Sequence, residues 1–162
     1  MPTYLLKPAE LIDEPPDGTA FAQRVPAPAT ADFRLGEIVK IASGSAAKLA
    51  GTETTGFYLV VKDNSPGYLP EGSFVDNPDG SWFAKRPGFI DVVPVSGKRL
   101  IMSAKGTLAA THIGAQKPIA TTADGYTVVD LNSTSTTTPA KILQVVEGRV
   151  GDTNARVLVE LA

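Results

Sequence analysis

The chain has 162 residues, 43% of them hydrophobic and 20% charged, which suits one domain with a real core and excludes global disorder. The 15 basic and 17 acidic residues leave a formal net charge of −2 and no basic stripe, which argues against an electrostatic nucleic-acid binder. No cysteine is present, so thiol catalysis, cysteine-ligated zinc and disulfide staples are excluded.

Residues 1–33 stand apart in texture. Six of the 13 prolines fall in the first 28 residues, including Pro15-Pro16 and Pro26-Ala27-Pro28. Proline fixes φ and lacks a backbone donor, so this stretch suits neither a long helix nor a central strand. Tyr4, Leu5, Leu6, Leu11, Ile12, Phe21 and Phe33 punctuate it, more large apolar groups than a bare linker needs. The expectation is an extended arm that packs on its own domain or on a neighbour. The start, Met1 to Pro8, lacks the basic residues and long apolar run of a signal peptide, and no apolar stretch approaches the ~20 residues of a membrane span. A soluble protein synthesised in a cytoplasm, with no membrane partner, is expected.

Residues 34–162 read as a domain of short β-type runs divided by Gly, Asp, Asn and Ser. Strands are predicted at Glu37–Ile41, Phe57–Lys62, Ile90–Val95, Arg99–Ser103, Tyr126–Asp130, Lys141–Glu147 and Arg156–Leu161. In the last, Val157, Val159 and Leu161 share one face; in the one before it, Ile142, Gln144 and Val146 alternate with Leu143, Val145 and Glu147. Residues 148–154 supply the turn of a closing hairpin. Ser45–Ala50 and Thr107–His112 are predicted to form a turn or two of helix. The fold class expected is all-β, a barrel or sandwich of short antiparallel strands. Residues 64–88 interrupt it with a Gly- and Pro-rich excursion carrying Tyr68, Phe74, Trp82 and Phe83, too aromatic for an idle loop, and 132–139 form a polar loop.

The residues offer little to catalyse with. His112 is the only histidine and has no acid or nucleophile elbow beside it. With one histidine and no cysteine, a transition-metal site is not expected, and no cofactor motif occurs. Asp76-Asn77-Pro78-Asp79-Gly80 has the oxygen-rich opening of a calcium loop, but lacks the distal glutamate and carries an interior proline. Pro87-Gly88-Phe89-Ile90-Asp91 looks like part of a motif of trimeric dUTPases, yet the following tyrosine and the other motifs are missing. Trp82-Phe83-Ala84-Lys85-Arg86 is a single aromatic–basic cluster without a supporting groove.

From about Leu35 to Leu161 the chain resembles the small β-barrel decoration, or cement, proteins of tailed-phage capsids. The likeness rests on the opening strand Leu35–Ile41, the Ala-rich segment Ala46–Gly51 leading to Gly56–Val61, the Gly125–Asp130 strand, and the closing hairpin Ile142–Leu161. The resemblance implies a non-enzymatic structural subunit of the virion, made in the host cytoplasm. It further implies binding outside an assembled icosahedral shell and stabilising contacts between capsomers as a homotrimer, with the major capsid protein as partner. Contacts with shell or neighbour are assigned to arm residues Tyr4, Leu5, Leu6, Phe21 and Phe33, and secondarily to Tyr68, Phe74 and Trp82 of the aromatic excursion. Alternatives are a tail- or baseplate-associated β-domain, a trimeric β-barrel nucleotide hydrolase, and a carbohydrate-binding module using Trp82 and Tyr68.

Overall fold

The structure, a computed structural model, describes residues 1–13, 22–28, 31–64, 74–76, 82–84 and 88–162, with backbone alone for 74–76 and 82–84. The strands among them are β1 (Glu10–Leu11), β2 (Gln23–Pro26), β3 (Ile38–Ala42), β4 (Ser45–Lys48), β5 (Tyr58–Lys62), β6 (Phe74–Asp76), β7 (Trp82–Ala84), β8 (Phe89–Pro94), β9 (Arg99–Lys105), β10 (Gln116–Lys117), β11 (Ile119–Thr121), β12 (Thr127–Asp130), β13 (Ala140–Glu147) and β14 (Arg156–Leu161). The all-β expectation holds, and strands meet each of the seven predicted segments.

The first sheet is a near-closed barrel in the order β10-β13-β14-β9-β12-β11, with β1 added on β9. Strands β10 and β11 stand at opposite ends of that order yet are separated in the chain by Pro118 alone, so one bent strand brings the two ends together. Proline fits this corner: it needs no donor there, and its carbonyl accepts the Asp130 N–H at 2.9 Å. On β9, β14 pairs antiparallel with residues 99–103. Elsewhere on the same strand, Leu100 and Ile101 pair with β1, and Ala104 and Lys105 pair with β12 in parallel. That parallel ladder departs from the all-antiparallel expectation. The long connection between β9 and β12, which contains β10 and β11, allows the crossover that parallel pairing requires.

The second sheet is antiparallel throughout, in the order β2-β8-β5-β3-β4, and its edge strands β2 and β4 approach one another. Both faces are covered. Ile38, Leu59 and Val95 join Leu100, Met102, Val157, Val159 and Leu161 in the barrel core. Their chain neighbours Val39 and Val60 turn the other way, into a second core with Val25, Phe33, Ala46, Ile90 and Val92. Because successive strand residues face opposite sides, a doubly buried strand must carry adjacent apolar pairs, which is why Ile38-Val39 and Leu59-Val60 occur. The Ile38 N–H donates to the buried Thr127 Oγ1 at 2.8 Å, tying the sheets together. Among the described residues β6 and β7 pair only with each other.

Two local expectations change. Ser45–Ala50 is not helical: Ser45–Lys48 is strand β4, paired with β3 across Ser43-Gly44. Both turn residues have positive φ (50° and 79°), the geometry of a tight hairpin, and this outweighs the helix preference of the alanines. In β13 the alternation breaks. Register shifts between Ile142 and Gln144 and between Val145 and Glu147 put Ile142 and Val145 against the core and leave Val146 47% exposed. A bulge inserts one unpaired residue and inverts the phase after it. Thr107–His112 does contain one short 3-10 turn, Ala110–His112.

The described parts of the arm lie on their own domain. β1 pairs with β9 and β2 with β8, while Ala9, Val25, Ala27 and Phe33 are all buried.

Candidate interaction surface

The N-terminal residues are fastened to the turn between β13 and β14. Thr3 bridges Thr153 in parallel; the Tyr4 N–H donates to Thr153 O at 2.9 Å, and the Thr153 N–H donates to Pro2 O at 3.0 Å. Asn154 Nδ2 donates to Tyr4 O at 3.2 Å. The Tyr4 ring lies against Gly148, whose positive φ (95°) and missing side chain allow the approach. The Met1 side chain lies over Gly151.

This backbone anchoring displays apolar groups to solvent. Leu5 is 85% exposed and Met1 80%. Val146 and Val150, on the neighbouring strand end and turn, are also exposed, Val146 because of the bulge phase. An ion pair, Lys7 Nζ to Glu147 Oε2 at 2.9 Å, borders the cluster. A fixed backbone carrying exposed apolar side chains loses little conformational freedom on docking, which favours a protein partner. Val146 and Val150 were missed in the sequence, since their exposure depends on the bulge and on the turn.

The predicted contact residues separate. Leu5 is exposed, and Tyr4 and Leu6 are half-buried. Phe33 is a correction: it is fully buried in the second core, with the Lys48 ammonium 4.7 Å from its ring centroid, and has no surface to offer a neighbour. Lys48 also reaches the buried Glu37 Oε1 at 2.5 Å and the Asp32 carbonyl, so charge and ring form one internal assembly. Phe21 and Tyr68 lie outside the described residues, as do residues 77–80 of the calcium-loop candidate and Lys85-Arg86. Phe74 and Trp82 are placed on β6 and β7 by backbone alone.

The remaining chemistry-bearing groups are engaged locally. His112 Nδ1 accepts the Ala109 N–H at 3.1 Å, and burial, helped by Lys117, lowers its pKa. Asp91 of the dUTPase-like stretch pairs with Arg24 at 3.0 Å across β2 and β8. Among the described residues no three His, Asp or Glu side chains gather as a metal set. A cleft of about 270 Å³ beside β4 is lined by Asp32, Arg34, Lys48, Leu49 and the 121–125 turn. No family model matches the chain, and a search of curated proteins returns no match.

Proposed function

We propose that the protein is a structural subunit that binds the outside of an assembled icosahedral phage shell as a trimer and stabilises contacts between capsomers, without catalysis. The observation that carries this reading is the exposure of Leu5 and Met1, in residues fastened to the β13–β14 turn, together with that of Val146 and Val150 on the same strand end and turn. Such a cluster suits a protein surface better than a small substrate. The resemblance of the strand pattern to capsid decoration proteins supplies the identity of the partner. Tyr4 supports the display by laying its ring against Gly148 while Leu5 stays exposed.

Co-sedimentation with purified shells tests the reading. The wild-type protein is expected to sediment with shells near one copy per shell subunit, and Leu5→Asp to weaken binding at least about tenfold, as a central apolar anchor would. Absence of the protein from purified particles, or unchanged binding of Leu5→Asp, contradicts it.

A further inference from the structure

Residues 7–13 reach the barrel through three ion pairs spaced three residues apart. Lys7 pairs with Glu147 of β13 at 2.9 Å, Glu10 with Arg156 of β14 at 3.0 Å, and Asp13 with Arg99 of β9 at 2.7 Å. Asp13 holds Arg99 through both guanidinium Nε and Nη2, and also accepts the Arg99 backbone N–H at 2.8 Å. Backbone bonds run alongside: Lys7 N–H to Ser103 Oγ, Ala9 N–H to Gly36 O and Ile12 N–H to Arg99 O.

Apolar adhesion is slight by comparison. Within residues 1–13 only Ala9 is a buried hydrophobic group, with Tyr4, Leu6 and Leu11 partly buried, whereas β14 alone buries Val157, Val159 and Leu161. Arg156 adds a bias toward opening. Its side chain is 8% exposed, it donates to Glu10 Oε1 and the Pro8 carbonyl, both within this segment, and its Nε has no hydrogen-bond partner among the described residues. A confined cation regains hydration when its cover lifts.

We propose that residues 1–13 are an electrostatic strap that lifts from the barrel as one unit, taking β1 with it and leaving the other strands of both sheets paired, when salt or acid weakens its ion pairs. The charges facing it set the direction. Asp13 faces Arg99 of β9 and Lys98 of the preceding turn, Arg99 also feels Glu160 of β14, Glu10 faces Arg156, and Lys7 faces Glu147. Acid strong enough to protonate Asp13, which Arg99 holds below its ordinary pKa, removes the charge that faces Arg99 and Lys98. Opening uncovers Leu100 and Ile101 of β9 and carries Met1, Tyr4 and Leu5 away from the β13–β14 turn. If the proposed shell-binding reading holds, the strap therefore controls presentation of that surface.

Amide hydrogen exchange of the free full-length chain tests the strap without any partner, so its outcome is independent of shell binding. Exchange of the hydrogen-bonded amides of Tyr4, Lys7, Ala9 and Ile12 is compared with that of Ala104 and Leu161. The comparison is made at about 0.01 M and about 1 M sodium chloride, where the screening length falls from roughly 30 Å to 3 Å. The strap amides are expected to exchange about tenfold faster at high salt, as two exposed pairs and one partly buried pair would allow, with Ala104 and Leu161 unchanged. Asp13→Asn and Glu10→Gln are expected to bring the fast exchange to low salt and to flatten the salt dependence. Exchange of both sets with one common opening free energy at both salts overturns the strap. So does strap exchange that responds to neither salt nor substitution.

Discussion

Phe33 donates its backbone N–H to Asn64 Oδ1 at 2.8 Å, and the Asn64 N–H returns to Phe33 O at 3.4 Å. Asn64 Nδ2 also donates to Ala31 O at 3.1 Å, and the whole residue is buried. One side chain thus fastens the end of the arm to the residues just beyond β5. Replacing it with alanine leaves the buried Phe33 N–H and the partly buried Ala31 carbonyl without these partners. Asn64→Ala is expected to cost about 2–4 kcal/mol, or roughly 5–15 °C in Tm for a domain of this size. Asn64→Asp keeps the acceptor and should fall between alanine and wild type in a thermal melt. A melt of Asn64→Ala superimposable on wild type would show that water replaces the amide without cost.

Truncation separates the anchored arm from its tip. Deleting residues 1–33 removes β1, β2 and four buried hydrophobic residues, Ala9, Val25, Ala27 and Phe33, from two cores. Burial of Phe33 and Val25 alone is worth roughly 3–6 kcal/mol, a large part of a typical stability. The shortened chain is expected to lose cooperative unfolding in calorimetry. Deleting residues 1–6 removes no buried hydrophobic residue and should leave a cooperative transition within several degrees of wild type. A cooperative, folded 34–162 fragment would show that the barrel core suffices.

Glu53 makes a loop stability pH-dependent. Burial alone would raise its carboxyl, but the Lys40 ammonium at 2.5 Å and the N–H groups of Ala50 and Gly51 outweigh it and hold the pKa at about 2. A carboxyl lowered on folding contributes stability above its ordinary pKa near 4.5 and loses it as pH falls toward about 2. Thermal melts of Glu53→Gln should therefore lie below wild type at pH ~6 and converge with it near pH ~2. Parallel curves at both pH values would mean that the carboxylate charge does nothing for this loop.

The sequence carried the strands and the closing hairpin because doubly buried strands must be apolar at adjacent positions and half-buried ones at alternate positions. Val157, Val159 and Leu161 fall on one buried face as their period of two requires. It did not carry the pairing of Ser45–Lys48, since alanine favours helix locally while the decision comes from the Ser43-Gly44 turn and from packing of Ala46 in the second core. Nor could it place Phe33. A large apolar residue in a proline-rich stretch looks the same whether it fills its own core or a neighbour's. The exposed cluster was half legible: Leu5 lies in the arm, but Val146 joins it only because a bulge, invisible in composition, inverts the phase of β13.

That inversion gives the sharpest substitution test, because two adjacent valines are assigned opposite fates. Val145 packs against the barrel core, whereas Val146 is 47% exposed. Val145→Asp forces a carboxylate toward an apolar interior and is expected to cost about 2–4 kcal/mol. Val146→Asp should stay within about 0.5 kcal/mol of wild type, as surface substitutions do, and so leaves a folded protein in which partner binding can be measured. If Val146 belongs to the docking surface, the same substitution weakens shell binding while the melt is unchanged. Uninterrupted alternation from Ile142 would instead put Val146 inside and Val145 out, and the order of the two melts would reverse. The pair of measurements thus separates the register of β13 from the use made of its exposed face.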